Sequence, residues 1–161
     1  MNVIAIAMER PDQPDVIDLL GASDRYHAAL YPAASNHLVD VASLLAGNVR
    51  FFVARDAESR AVGCGGVLLA EACGTVTAEL KRMWVDPSVR GVGLGRRLLA
   101  HLEGAAAEQG ATLFRLETGI RQPKAIALYR AAGYAERQPF GHYTADPLSL
   151  FMEKAAPIQS A

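Results

Sequence analysis

Apolar residues along the chain fall either in short continuous runs or in stretches with helical spacing. The short runs predict strands, and the spaced stretches predict amphipathic helices. The predicted strands span residues 3–8, 51–54, 61–70, 75–86, 113–118 and 148–152, and the predicted helices span residues 11–31, 38–45, 96–109 and 123–132. Ser35 or Asn36 is the expected N-cap of the second helix. The order β-α-α-β-β-β-α-β-α-β is typical of a mixed α/β fold in which several consecutive strands are antiparallel.

Composition narrows the class of protein. The 161 residues are 51% hydrophobic and 20% charged, which is typical of a single globular domain. We expect that domain to span residues 1–161, with residues 155–161 as a flexible tail. The net charge of −1 argues against a general nucleic-acid binder.

The apolar runs and the cysteine and histidine residues bear on cellular location and metal binding. No apolar run approaches the roughly 20 residues of a membrane span, and the first run lacks the length and basic lead of a secretion signal. We therefore expect no membrane partner, a cytoplasmic location, and a monomer or homodimer. The two cysteines and four histidines show no metal-ligand spacing, so no metal is expected.

A glycine-rich turn between a predicted strand and a predicted helix is the most informative segment. The strand ends at Asp86, and the turn Arg90-Gly-Val-Gly-Leu-Gly leads into the helix. A helix N-terminus presents unpaired N–H groups that favour an anion, and glycines let the backbone approach a bulky ligand. Arg90, Arg96 and Arg97 add positive charge, although Arg97 has solvent as an alternative. The segment predicts a phosphate or pyrophosphate ligand.

Two common phosphate-binding motifs do not fit this turn. A Walker loop needs Gly-x4-Gly-Lys-Ser/Thr, which is absent from the sequence. A dinucleotide fingerprint requires glycine at position 96 or 98, where the chain has Arg96 and Leu98. The spacing that fits is Arg-x-x-Gly-x-Gly, formed by Arg90, Gly93 and Gly95.

Two blocks of the sequence together resemble the GNAT superfamily of acyl-CoA-dependent N-acetyltransferases. The first runs from Glu79 through the glycine-rich turn to Leu99, and it resembles the family's strand, pyrophosphate loop and following helix. The second, Ala125-Ile-Ala-Leu-Tyr-Arg-Ala-Ala-Gly-Tyr134, resembles the family's Ala-x-x-Leu-Tyr-x-x-x-Gly-Phe/Tyr block. The resemblance covers residues 79–134.

The resemblance implies a fold and an activity. The fold is a central, mostly antiparallel twisted sheet of about six to seven strands flanked by about four helices. The activity is transfer of an acetyl group from acetyl-CoA to a primary amine of a small molecule, by direct attack in a ternary complex. A peptide or protein N-acetyltransferase and a non-catalytic acyl-CoA sensor are the alternatives. Glu79 and Tyr129 favour the enzyme, and the scarcity of acid in loops 31–37 and 138–146 favours a small acceptor.

The resemblance also implies which residues bind acetyl-CoA. The backbone near Met83–Val85 would pair with the pantetheine arm and supply an oxyanion donor. Gln122 stands where the family usually has Asn, which leaves that cofactor contact open. The full set of expected cofactor-binding residues is Met83, Trp84, Val85, Arg90, Gly91, Val92, Gly93, Leu94, Gly95, Arg96, Gln122, Lys124 and Tyr129.

Catalysis by this route needs a base for the amine and an acid for the departing sulfur. Glu79 is the first candidate for the base, and an ordinary strand carboxylate paired with Lys81 or Arg115 is its alternative role. Glu117 is the second candidate. Tyr129 is the candidate acid, with simple aromatic packing as the alternative.

The acceptor site is expected opposite the cofactor, under the loop between the first two helices and a loop between late strands. Tyr31, His37, Glu117, His142 and Tyr143 are the candidate substrate-binding residues. For each of the loop residues, a purely structural role stays open.

Overall fold

Within residues 3–158, which the computed structural model describes, the chain forms one seven-stranded sheet and four α-helices. The strands are β1 (Ala5–Met8), β2 (Val49–Arg55), β3 (Ala61–Ala72), β4 (Thr75–Val85), β5 (Ala111–Gly119), β6 (Ala135–Arg137) and β7 (Ser149–Ala155). The helices are α1 (Pro14–Leu30), α2 (Val41–Leu44), α3 (Leu94–Glu108) and α4 (Pro123–Ala131). The mixed α/β prediction is therefore confirmed.

The sheet opens at its centre. Its strand order is β1-β2-β3-β4-β5-β7-β6, and β1 to β4 are antiparallel neighbours, in line with the expectation that several consecutive strands are antiparallel. β4 and β5 run parallel, with α3 as the crossover between them. Their pairing ends where Glu79 lies opposite Arg115, although β4 continues to Val85 and β5 to Gly119. The two strands thus leave a gap in the sheet beyond Glu79.

A β-bulge in β4 lies beside this gap. The register between β3 and β4 shifts so that Arg82 and Met83 occupy the space opposite the single residue Gly65. Arg82 has φ +57°, a left-handed conformation that costs a non-glycine residue energy. Its buried guanidinium donates to the carbonyls of Val39 at 2.7 Å and Leu20 at 3.1 Å. These bonds stabilise the bulge and attach the α1–α2 connection to β4.

Helices cover both faces of the sheet. On one face, α3 and α4 pack against a cluster that includes Leu99, Leu102, Phe114, Tyr129 and Met152. On the other face, α1 and α2 pack against a second cluster with Val16, Leu20, Leu44, Val53 and Trp84. This arrangement leaves the gap between β4 and β5 accessible from the carboxyl ends of both strands.

Three local features differ from the sequence predictions. Asp40, and not Ser35 or Asn36, caps α2, because its carboxylate accepts the Ser43 N–H at 2.8 Å. Ser35 instead ends a short 3-10 turn. The pattern also missed β6, because three residues are too short to show a period.

The last strand reaches into the segment predicted as a tail. Ala155 ends β7, and the Ala156 N–H donates to the Thr112 carbonyl at 2.9 Å. Residues 159–161 of that segment lie outside the described residues. Across residues 3–158, we find no helix with both the length and the apolar character needed to cross a membrane.

Candidate active site

Two cavities meet at the gap between β4 and β5. The large cavity, about 580 Å³, lies between the glycine-rich turn and the start of α4. The small cavity, about 90 Å³, lies between α1, the loop after it, β4, β5 and the β6–β7 loop. Their shared lining consists of Met83, Gln122, Ala125 and Tyr129, which we call the junction. A molecule that fills both cavities passes through the junction.

The backbone of the glycine-rich turn shapes the large cavity. Gly91 has φ +84° and Gly93 has φ +82°, values that side chains disfavour. Gly93 is the N-cap of α3 and offers no side chain to bond the first N–H groups of the helix. Those N–H groups are left for a ligand, and the helix dipole favours an anionic one.

The charges of the large cavity have one sign. Arg90, Arg96 and Lys124 line it, and no carboxylate is among its lining residues. The Arg90 Nε donates to the Val85 carbonyl at 3.1 Å, and its guanidinium lies 4.9 Å from the centre of the Trp84 ring. This is an electrostatic environment that suits a phosphate.

Most of the residues expected to bind the cofactor lie in this cavity. Those that line it are Met83, Trp84, Val85, Arg90, Gly91, Gly93, Leu94, Gly95, Arg96, Gln122, Lys124 and Tyr129. Val92 does not line it, and its side chain is 66% exposed. Arg97 lies elsewhere, because its guanidinium donates to the Ile4 carbonyl at 2.7 Å and so connects α3 to the chain before β1.

Glu117 is the carboxylate of the small cavity with the fewest partners. It lies near the end of β5, and the Ser149 hydroxyl donates to its Oε2 at 2.7 Å. Burial raises the pKa of Glu117 above its ordinary value, and the bond from Ser149 opposes this. A carboxylate with a raised pKa is a stronger base, which suits proton abstraction.

Glu79 is held more tightly in the same cavity. The Tyr143 hydroxyl donates to its Oε2 at 2.6 Å, and the Lys81 ammonium lies 2.8 Å from the same oxygen. Lys81 also contacts the Tyr143 hydroxyl, which closes a three-residue cluster. Burial and the bond to Glu79 raise the pKa of Tyr143, so its hydroxyl stays protonated. The cluster connects the β6–β7 loop to β4.

The other candidate acceptor residues separate into two groups. Tyr31 and His37 line the small cavity with Tyr143, and the His37 ring meets Tyr143 edge-on at 5.6 Å. The His37 Nε2 lies 3.9 Å from the Asp146 carboxylate. His142 lines neither cavity, since its exposed ring stacks on Tyr143 at 4.8 Å.

Tyr129 lies at the junction. It is 7% exposed, and burial raises the pKa of its hydroxyl to about 12. The hydroxyl therefore stays protonated at neutral pH and serves as a donor. Tyr129 lines both cavities, so its hydroxyl can donate a proton where ligands bound in the two cavities meet.

Sequence reasoning missed three ionisable residues of the small cavity. His27, Lys81 and Arg82 all line it. Lys81 was considered only as a partner of Glu79. The α1 residue His27 gave no local signal, because its contacts with Trp84 and Gln122 form only in the folded chain. Across residues 3–158, no three His, Cys, Asp or Glu side chains are grouped to hold a metal ion.

Comparison with known sequences gives a family and several relatives. Residues 47–136, more than half of the chain, match the family described as the acetyltransferase (GNAT) domain. The chain is 48% identical over 154 residues to a protein of Azospirillum brasilense named IAA acetyltransferase. That alignment covers 96% of this chain and 99% of the relative.

Solved structures agree with the sequence comparison. A Klebsiella pneumoniae protein described as an acyl-CoA N-acyltransferase superposes with a TM-score of 0.80 at 36% identity, over 96% of this chain and 98% of that one. The PaiA N-acetyltransferase of Thermoplasma acidophilum, solved in complex with coenzyme A, superposes with a TM-score of 0.71 at 18% identity, over 95% and 99% of the two chains. At that identity the likeness concerns the fold.

Proposed function

The chain belongs to the GNAT acetyltransferase family, and on that premise we propose that it transfers the acetyl group of acetyl-CoA to a primary amine of a small molecule. One observation carries the proposal. A large basic cavity and a small cavity meet at the junction, where Tyr129 belongs to both. A donor and an acceptor bound on the two sides would meet at that point.

The large cavity is suited to acetyl-CoA as the cosubstrate. The start of α3, with Arg90 and Arg96, would hold the pyrophosphate through N–H groups and positive charge. The backbone of Met83–Val85 lies beyond the last pair between β4 and β5, so its edge toward β5 is open to the amide groups of the pantetheine arm. A backbone N–H beside the bulge would also stabilise negative charge on the thioester oxygen.

Glu117 is our proposed general base. An alkyl ammonium has a pKa of roughly 10, so the acceptor must lose a proton before it attacks. Glu117 has a raised pKa and the Ser149 hydroxyl as its bonded partner, whereas Lys81 and Tyr143 both occupy Oε2 of Glu79. Glu79, the first candidate from sequence, then acts by its charge and by anchoring Tyr143.

Tyr129 is our proposed general acid. When the thioester C–S bond breaks, the sulfur of CoA leaves with the electron pair and gains from a proton. The Tyr129 hydroxyl is protonated at neutral pH and lies where the two cavities meet. The acceptor nitrogen loses one proton to Glu117 before it attacks and a second proton when the tetrahedral intermediate collapses to the amide. One of these two protons replaces the proton that Tyr129 gives to the sulfur, and the other goes to solvent.

The size of the small cavity supports a small acceptor. Its volume of about 90 Å³ is below the roughly 300–1,000 Å³ of drug-sized ligand sites. The β6–β7 loop, anchored through Tyr143, closes one side. A peptide groove would need a longer open channel, which makes a peptide N-acetyltransferase the second candidate.

A binding assay and an acceptor panel test the proposal. Acetyl-CoA at about 100 times its Kd should raise the unfolding temperature by roughly 5–10 °C, with CoA close behind and NAD and ATP without effect. Small primary amines should release CoA thiol from acetyl-CoA, and mass spectrometry should find the N-acetylated amine. Peptides with a free N-terminus or lysine are the matched comparison.

Each outcome has a separate meaning. Absence of any shift with acetyl-CoA in the folded protein overturns the proposal. Binding without amine-dependent thiol release indicates a sensor. Acetylation of peptides alone indicates the second candidate.

A further inference from the structure

A chain of four hydrogen bonds runs from α1 to the junction. The backbone N–H of Arg121 donates to the Tyr31 oxygen at 3.1 Å, and the Tyr31 hydroxyl donates to Gln122 Oε1 at 3.1 Å. Gln122 Nε2 lies 3.3 Å from His27 Nε2, and His27 Nδ1 lies 2.7 Å from the Ser23 carbonyl. Both polar atoms of the Gln122 amide are thus engaged by side chains of the first helix and its C-cap.

The donors and acceptors of this chain have one consistent assignment. A carbonyl only accepts, so His27 Nδ1 carries the proton that is donated to Ser23. His27 Nε2 is then unprotonated, and its lone pair accepts a hydrogen bond from the amide nitrogen of Gln122. The same amide orientation presents Oε1 to the Tyr31 hydroxyl. The bond from Gln122 to His27 therefore requires neutral His27.

Packing fixes Tyr31 in place. Its side chain is 6% exposed and lies against Gly119, where any Cβ would overlap the Tyr31 ring and hydroxyl. Burial raises the pKa of Tyr31, so it remains a donor at neutral pH. Glycine at the end of β5 is therefore what lets α1 reach the turn before α4.

Gln122 is well placed to act on a ligand. It lines both cavities and precedes α4 as its N-cap, and its side chain does not bond the helix. An amide nitrogen carries two N–H groups, and His27 takes one of them. The second N–H is available at the junction, where the acyl donor meets the acceptor.

We propose that His27 and Tyr31 are positioning residues, which hold the Gln122 amide so that its second N–H donates to the acetyl-CoA bound at the junction. The proposal rests on the proposed function, because it assumes acetyl-CoA in the large cavity. Neither positioning residue needs to touch the reacting atoms. Their effect passes through Gln122.

The arrangement makes acetyl-CoA binding sensitive to acid. Protonated His27 carries N–H on both ring nitrogens, so it would direct an N–H at the N–H of Gln122. Turning the amide over would give His27 an acceptor, but it would withdraw Oε1 from Tyr31. Burial lowers the pKa of His27, the positive charge of Arg82 on β4 lowers it further, and the bond to Ser23 and the negative charge of Asp24 on α1 oppose this. The rings of Tyr26, Tyr31 and Trp84 also pack around His27.

The test compares His27→Gln with His27→Leu. Glutamine supplies an acceptor in place of Nε2 and a donor in place of Nδ1, and it does not titrate. Leucine removes both. His101→Gln is the matched control, because His101 on α3 makes the same bond to the carbonyl four residues earlier, with Nδ1 3.0 Å from Arg97, on an exposed surface. Tyr31→Phe removes the bond to Gln122 from the other side.

The measurement is the Kd of acetyl-CoA between about pH 8 and pH 5. Trp84, the single tryptophan of the chain, lines the large cavity and reports binding by its fluorescence. At about pH 8, His27→Leu and Tyr31→Phe should each weaken binding about three- to tenfold, the loss of one hydrogen bond. His27→Gln should restore it, and at about pH 5 it should bind more tightly than the wild type by a similar factor.

The outcomes separate this proposal from the proposed function. If the wild type binds acetyl-CoA and all three variants bind equally at every pH, the positioning role is wrong and the acetyltransferase proposal stands. If His27→Gln keeps the acid weakening of the wild type, or His101→Gln removes it, the role of His27 is wrong. If the wild type does not bind acetyl-CoA, the proposed function fails first. Should His27→Leu not fold, the comparison of His27→Gln with the wild type still decides.

Discussion

The large and small cavities share the junction but are built in different ways. The large cavity is lined mainly by two continuous segments, residues 83–96 and 122–129, and its three charged lining residues are all cations. The small cavity draws side chains from α1, the following loop, β4, β5 and the β6–β7 loop, and it contains both acids and bases. The large cavity combines exposed backbone groups with charges of one sign, whereas the small cavity is a network of paired side chains.

This difference separates binding from chemistry. A cradle of N–H groups and arginines holds an anion whatever reaction follows, and no single side chain dominates it. Proton transfer instead depends on individual groups whose environments shift their pKa values. We therefore expect substitutions in the large cavity to raise the Kd of acetyl-CoA and substitutions in the small cavity to lower kcat. His27 and Tyr31 are the exceptions, because they act on the cofactor through Gln122.

Glu117→Gln should show the largest effect. Loss of a general base typically lowers the rate about 10²–10⁴-fold, and the Kd of acetyl-CoA should stay unchanged. In the wild type, kcat/KM should fall with acid as Glu117 is protonated, through a pKa raised above about 4.5. Steady-state kinetics over the pH range measures both.

Glu79→Gln is the matched comparison for Glu117→Gln. It changes a carboxylate of the same cavity whose Oε2 already contacts Lys81 and Tyr143, so the loss of rate should be smaller. A larger loss than in Glu117→Gln, together with a missing acid limb, would assign the base to Glu79.

Tyr129→Phe tests the junction itself and should rank second. Removing the hydroxyl should lower kcat by about 10²-fold, at the low end for an acid catalyst. Tyr134→Phe is the control, because its ring lies 5.9 Å from Tyr129 while its hydroxyl donates to Glu103 at 2.8 Å. Equal kcat in the two variants, measured by thiol release, would remove Tyr129 from the mechanism.

Arg90→Ala should have a third, smaller effect, confined to the large cavity. Loss of one charge-assisted contact should raise the Kd of acetyl-CoA about tenfold, and the effect should shrink at high salt. Arg130→Ala, on the exposed side of α4 with Glu136 at 3.5 Å, is the charge-matched control. A change in kcat without a change in Kd would contradict the division between the two cavities.

The same division explains what the sequence predicts. The large cavity comes from a turn and two helix starts, which are local in the chain, so twelve of its expected residues lie there and Val92 is the exception. The small cavity depends on where the sheet opens and where α1 lies. Tyr31, His37, Glu117 and Tyr143 line it, whereas His142 does not, and His27 lines it without having been a candidate.

The bulge of β4 shows a limit of pattern reading within the fold. The sequence predicts β4 to within one residue of its ends, yet nothing in the period of residues 75–86 indicates a left-handed Arg82. Its cause is a set of long-range bonds to Val39, Leu20 and Asp24, which exist only after α1 has packed. The Arg82 side chain, which stabilises the bulge, also connects β4 to α1 and the loop after it, which are two of the elements that form the small cavity.

The smallest predicted effect is one of stability, and it distinguishes a functional carboxylate from a structural one. Burial raises the pKa of Glu117 above its ordinary value of about 4.5. In the pH window between the ordinary and the raised pKa, the folded state binds more protons than the unfolded state. The free energy of unfolding therefore falls as the pH rises through the window. Gln at this position does not ionise, so Glu117→Gln should be as stable as the wild type at about pH 4 and more stable at about pH 8.

Denaturant unfolding of both proteins at the two pH values measures this difference, with exposed Glu58→Gln as a control that should show none. A variant that is less stable than the wild type at about pH 8 would mean that the Ser149 bond to the charged carboxylate outweighs its desolvation. Glu117 would then be a structural residue. A variant that is both more stable and inactive would mean that the small cavity maintains a buried charge at the expense of folding, as a catalytic base requires.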